Sequence, residues 1–172
     1  MLKMIGAVMI FGSCASMGLA ARQNLHRRVR AADAMLLALS LIASEINCRR
    51  APLPEIVSEL SESDNAVIHS VFCGLQRRMR EQTDVSFGYL WRMNLRDKRE
   101  EIGLGKSECD ILCEAASYLG RYDAAEQAAG LALVSRRLST ARNQADDELR
   151  HKGGLYRTCG IAMGLLVILV LI

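Results

Sequence analysis

The chain has 172 residues, half of them apolar (51%), yet only 5% aromatic and with just two prolines. Few aromatics argue against a β-rich fold, and the abundance of Ala, Leu, Arg, Glu and Met favours helix. A net charge of +3, with no basic face carrying interleaved aromatics, does not make nucleic acid a partner.

Residues 1–21, MLKMIGAVMIFGSCASMGLAA, carry one charge, Lys3, at the edge of the run. As a helix they reach about 31 Å, enough to cross a hydrocarbon core. Arg22, Arg27, Arg28 and Arg30 follow with no acid among them. This inverts the charge order of a cleaved signal, despite the lipoprotein-like FGSC at Phe11–Cys14. The sequence therefore predicts an uncleaved span. At the other end, residues 158–172 form a second predicted span, its basic flank supplied by Arg150, Lys152 and Arg157. Its Leu, Ile and Val side chains favour insertion by about 3–5 kcal/mol. Both apolar runs have their basic residues on the inner side. The positive-inside rule then places residues 22–157 in the cytoplasm and both termini outside. Gly12 with Ser16, and Gly160 with Gly164, give small-residue spacing that suits close helix packing in lipid.

Between the spans the pattern is helical throughout. Leu25, Val29, Ala32, Leu36, Leu39, Ala43 and Ile46 recur at alternating steps of four and three, an a/d seam on a helix ending at Arg49 and Arg50. Pro52 and Pro54 then force a stiff corner, with Ala51 and Leu53 pushed out of the α region. Pro54 and Glu55 suit the first turn of a second helix, to about Leu60. A third helix is predicted from about Asn65 to Glu81 and a fourth from about Ser86 to Glu101. Ser107 with Asp110 reads as the capping box of a fifth, and Gly120 as its left-handed end, just after Leu119. Asp123 with Glu126 opens a sixth helix running to about Lys152. Gly153 and Gly154 read as a hinge before the second span. The predicted fold is an all-α, antiparallel bundle of about six helices whose long first and last members lie side by side.

Catalytic patterns are missing from the sequence. His26, His69 and His151 fall on separate helices, and no HExxH, phosphate loop or serine elbow occurs. Cys109 and Cys113 share a helix face, but zinc needs about four ligands. They read as reduced core thiols. No cofactor, metal or catalytic residue is predicted, and a two-span protein built this way is expected to hold a partner. A second reading is a signalling adaptor, a homo-oligomer that dimerises through its long heptad helices.

Several phrases in order, EINCRRAPLPEIVSEL, EAASYLGRYDAAEQ and GGLYRTCGIAMGLLVILVLI, behind an MLKMIGAVMI opening, resemble the stage III sporulation protein AB family over essentially the whole chain. Tyr122 departs from the small polar residue expected in the LG–x–x–D turn, and HKGG carries an extra glycine. The resemblance implies a non-enzymatic platform subunit of the membrane complex that connects mother cell and forespore in endospore formation. It implies a cytoplasmic domain similar to the helical domain of type II secretion F platform proteins. The implied partners are membrane lipid and the other proteins of the stage III sporulation A complex, including a secretion-type ATPase. It marks Pro52, Leu53, Pro54 and Glu55, and Leu119, Gly120, Asp123 and Gln127, as a structural corner and partner-facing turns.

Overall fold

A computed structural model describes the backbone of residues 2–120 and 123–171, and the side chains of residues 20, 22–120 and 123–150. The elements are α1 (Leu2–Ser44), a π-helical turn (Glu45–Arg49), α2 (Leu53–Ser61), α3 (Ala66–Glu81), α4 (Phe87–Ile102), α5 (Lys106–Glu114), a 3₁₀ turn (Ala115–Ser117) and α6 (Ala124–Leu171). Six α-helices in chain order match the expectation, and no strand occurs among the described residues. The chain divides into two compact units, Arg27–Asn143 and the pair Met1–His26 with Gln144–Ile172. Apart from Ala20, the side chains of both expected spans, with Gly12, Ser16, Lys152, Arg157, Gly160 and Gly164, lie outside the described residues. Among those that are described, no helix is long and apolar enough to cross a membrane.

Helix starts in the larger unit follow local chemistry. Asn65 accepts from Val67 N at 3.0 Å and Ile68 N at 3.3 Å, capping α3. α4 ends at Gly103, whose φ of 77° takes the left-handed C′ conformation. Two expectations fail. α5 begins at Lys106 with no side-chain cap, so Ser107 and Asp110 form no capping box. α6 runs unbroken past Gly153 and Gly154; a helix-interior glycine costs only about 1 kcal/mol, which the flanking turns outweigh.

α1 sits deepest. The predicted seam is only partly right: Val29, Ala32, Leu39 and Ile46 are buried, while Leu36 and Ala43 are half-buried. A second row, Ala31, Met35, Ala38 and Ile42, is buried at least as fully. An a/d stripe suits a helix packed on one side, but this one is covered on both. Its alanines let neighbouring backbones approach. Arg142 of α6 clamps Asp33 of α1 through Nε to Oδ1 at 2.8 Å and Nη2 to Oδ2 at 3.1 Å, so the two long helices meet at this point within the unit. α2 packs on α3, α3 on α4 and α4 on α5. Trp91 ties α4 to α5 by donating from Nε1 to the Leu112 carbonyl at 2.8 Å, and it packs against Phe72 of α3 with ring centroids 5.9 Å apart.

One charge enters this core. Glu108 is wholly buried, and Arg28 Nε donates to its Oε1 at 2.7 Å. A β-carbon at position 105 would fall 2.2 Å from Glu108 Oε2 and 2.6 Å from Arg28 Nε, so only glycine fits beside the pair. Removing one partner of a buried pair strands the other charge. Arg28→Ala should therefore destabilise the protein by about 3–5 kcal/mol. Glu108→Gln added to it should recover part of that loss, both read by denaturant unfolding of the full chain in detergent.

Candidate functional site

The corner after α1 is built from three local devices. The π-helical turn Glu45–Arg49 adds one residue to the last turn, and Arg50 then reverses the chain at φ 51°, ψ 34°. The Arg50 N–H donates to the Glu45 carbonyl, and Ala51 N–H donates to the same oxygen at 3.4 Å. Pro52 is extended (φ −67°, ψ 144°), and its carbonyl accepts from Glu55 N at 3.0 Å and Ile56 N at 3.3 Å, starting α2. Leu53 does not obey its pre-proline bias. It occupies the first helical position with Pro54 behind it, because the bonds to the Pro52 carbonyl hold that turn closed. Arg49 then staples the corner. It pairs with Glu45 at 2.9 Å, Glu55 at 3.4 Å and Glu59 at 3.8 Å.

A second turn faces this corner. Leu119 is buried and anchors it. Gly120 has the predicted positive φ, 79°, but it sits past the 3₁₀ turn and does not end α5, which stops at Glu114; its N–H donates to Gln127 Oε1 at 3.3 Å. A β-carbon on Gly120 would lie 3.4 Å from Leu53 Cδ1, so the two turns touch. Asp123 Oδ1 accepts from Glu126 N at 2.8 Å and its carbonyl from Gln127 N at 3.0 Å, the predicted restart of α6. Tyr122, the departure noted in this turn, lies outside the described residues.

Between the turns is a cleft of about 750 Å³. Six of the eight residues marked in the two turns line it: Pro52, Leu53, Pro54, Gly120, Asp123 and Gln127. Leu119 lies buried behind the turn, and Glu55 holds Arg49. As cleft residues the sequence missed Ile46, Asn47, Arg50, Ala51, Ala124 and Ala125, which also line the walls. Arg50 is the instructive omission. A residue with a β-carbon in the left-handed region leaves no signal in composition or periodicity.

The basic residues marked as topology anchors divide. Arg22 and Arg30 are exposed. Arg27 Nη2 donates to the Glu101 carbonyl at 2.9 Å and Arg28 holds Glu108, so these two also fasten the bundle. Arg150 pairs with Asp146 at 3.2 Å within its own helix. Ser70 and Lys98 both donate to Glu101, which lowers its pKa from the usual carboxylate value, the Lys98 bond contributing most. Cys109 and Cys113 are free and buried. The hydrogen bond between them is the main cause of a Cys113 pKa near 7, and it pushes the Cys109 thiol up. Among the described residues, no group of three or more His, Cys, Asp or Glu side chains converges where a metal ion would sit.

The architecture is thus that of an all-helical bundle domain with a fixed cleft where two tight turns meet. Comparison with known proteins gives it a family. The family model described as stage III sporulation protein AB matches residues 3–172, and the chain belongs to that family. Stage III sporulation protein AB of Bacillus subtilis (strain 168) is 23% identical over 171 residues, 99% of each chain. A solved structure of stage III sporulation protein AB (SpoIIIAB) superposes with a TM-score of 0.59 at 20% identity, over 72% of this chain and 96% of that one. The last likeness speaks for the fold. None of these names denotes an enzymatic activity.

Arg50 holds a conformation that costs a side-chain-bearing residue roughly 1–2 kcal/mol over glycine. Arg50→Gly should therefore raise stability by up to about 1 kcal/mol, a rise of roughly 2–4 °C in melting temperature. Differential scanning calorimetry of the two full chains checks this.

Proposed function

We propose that this protein is a non-enzymatic, membrane-anchored platform subunit of a sporulation complex, and that the cleft between the Pro52 corner and the Gly120 turn is its docking place for a partner. The observation that carries the reading is the meeting of two turns about 70 residues apart in sequence, which form one concave, preformed surface. Tight turns at Arg50, Pro52 and Gly120 fix the backbone, so little ordering is needed when a partner arrives.

In this reading residues 1–21 and 158–172 cross the mother cell membrane that faces the forespore. The bundle lies in the cytoplasm and both termini lie outside. Arg22, Arg27, Arg28 and Arg30 on one side and Arg150, Lys152 and Arg157 on the other supply the charge bias that supports this topology. Family membership, and the sporulation name of the Bacillus subtilis relative, support a role in endospore formation. The partners proposed are the other proteins of the stage III sporulation A complex, its secretion-type ATPase included, by analogy with type II secretion F platform proteins. The adaptor reading is weaker. Its dimer needs the heptad seam of residues 25–46 free for a second chain, whereas most of that seam is already buried within one chain.

Two experiments test the proposal. Ala125 is exposed on the cleft wall, so Ala125→Trp should fill the cleft without unfolding the bundle. Heat-resistant spore counts should fall by at least about tenfold, with loss of co-purification with the complex's ATPase equivalent to about 1.4 kcal/mol or more. Wild-type counts and wild-type co-purification would remove the docking assignment. Topology is read by alkaline phosphatase fusions. A fusion after Ile172 should be active and one at Asn65 inactive, and an inactive fusion after Ile172 would break the two-span arrangement.

A further inference from the structure

We infer that the segment bound in this cleft presents an apolar side chain next to a carboxylate, and that Arg50 receives the carboxylate. The inference rests on the docking role proposed above and specifies the chemistry of what docks. Two adjacent arginines close α1, and their circumstances differ. Arg49 is surrounded by three carboxylates, Glu45, Glu55 and Glu59. Arg50 is exposed on the cleft wall and, among the described residues, has no ion-pair partner. The one acidic side chain lining the cleft, Asp123, is already engaged by the Glu126 N–H. The positive charge of Arg50 is therefore left for an incoming group.

The walls around this cation are mixed: Asn47, Asp123 and Gln127 bring polar groups, and the corner brings an apolar strip. Pro52 and Pro54 have no N–H to offer, and Leu53, Ala124 and Ala125 supply carbon surface. Among the described lining residues, a small inorganic anion would find one guanidinium, with the carboxylate of Asp123 also on the wall. A peptide side chain such as Leu, Ile or Phe would fill the cavity while a neighbouring Asp or Glu reached Arg50. Guanidinium and carboxylate match as a two-pronged pair, which gives such a contact direction as well as strength. The backbone of Arg50 fits the same reading. Its left-handed conformation would be cheaper for glycine, so the side chain is carried at a cost to the fold.

The test uses the full chain in lipid nanodiscs and a random peptide library displayed on phage. Peptides are kept if they bind the wild-type chain and lose binding to Ala125→Trp, which restricts the set to the cleft. The expected set is enriched in Asp or Glu adjacent to a large apolar residue. Its members should weaken at least about tenfold on Arg50→Glu, as on loss of a charge-assisted pair, and Arg50→Lys should retain part of the affinity. Arg50→Gly should also weaken binding even though it raises the melting temperature, a combination that a merely structural role for Arg50 does not produce. Cleft-dependent peptides without acidic enrichment, or indifferent to Arg50→Glu, would overturn the carboxylate inference and leave the docking cleft standing. A selection yielding no cleft-dependent peptide would overturn both.

Discussion

The bundle depends on one buried carboxylate. Glu108 gives up all contact with water, and Arg28 Nε at 2.7 Å is what makes that tolerable. Burying two charges costs several kcal/mol per ion before their attraction repays it, so the pair constrains everything near it. Gly105 must lack a β-carbon, because Glu108 Oε2 occupies the space. α5 must start at Lys106, with no side-chain cap at its head. Arg27, one residue before Arg28, donates to the Glu101 carbonyl at the end of α4, so two consecutive arginines of α1 grip the α4–α5 connection. Ile102 and Leu104 are buried beneath this grip. The basic residues at this end of α1 therefore serve the packing of the bundle as well as any topological bias.

Arg50 lies 22 residues further along the chain, past the end of α1 and the π-helical turn. Between the two points α1 is covered on both flanks, and its small residues set the approach of its neighbours. Ala31, Ala32, Ala34 and Ala38 are all almost wholly buried. Alanine contributes little apolar area per residue, so the stability of this region rests on close backbone contact and on the larger side chains that reach it, among them Phe72, Trp91, Leu131 and Leu138. A rigid central helix of this kind can hold a cleft at its end with little motion, since the corner is closed by proline, left-handed backbone and the ion pairs of Arg49. Those pairs are exposed and individually weak. The two prolines and the bonds to the Pro52 and Glu45 carbonyls do more to fix the geometry.

Much of this was legible in the residues. The positive φ of Gly120 and Asp123 as the restart of α6 follow from local backbone and hydrogen-bond chemistry that a few neighbouring residues determine alone. The double proline showed that a corner exists, and the two marked turns proved to form one cleft. Other features depend on contacts between distant residues. Glu108 looks like an acid at a helix start, and only Arg28, 80 positions away, makes its burial tolerable. Ser107 and Asp110 looked like a cap because their spacing fits one, yet the glycine required by the ion pair sets the helix start instead. The deeper alanine row of α1 escaped because an a/d pattern records one packed face. Leu53 entered α2 because hydrogen bonds to Pro52 outweigh a local steric preference.

The same contrast bears on what kind of molecule this is. Reactive sites gather groups whose environments pull their proton affinities apart around a space where substrate can sit. Here the clearest perturbed pair, Cys109 and Cys113, is directed inward, each thiol's nearest polar company being the other. The cleft holds a different combination among the described residues: open space, walls of mixed polarity, one carboxylate on a helix cap and one arginine without an ion-pair partner. In the proposed reading, open space with Arg50 on its wall suits recognition of a group on another chain. The buried Arg28–Glu108 contact holds the interior, while Arg50 stands on the cleft wall, where a group on another chain can reach it.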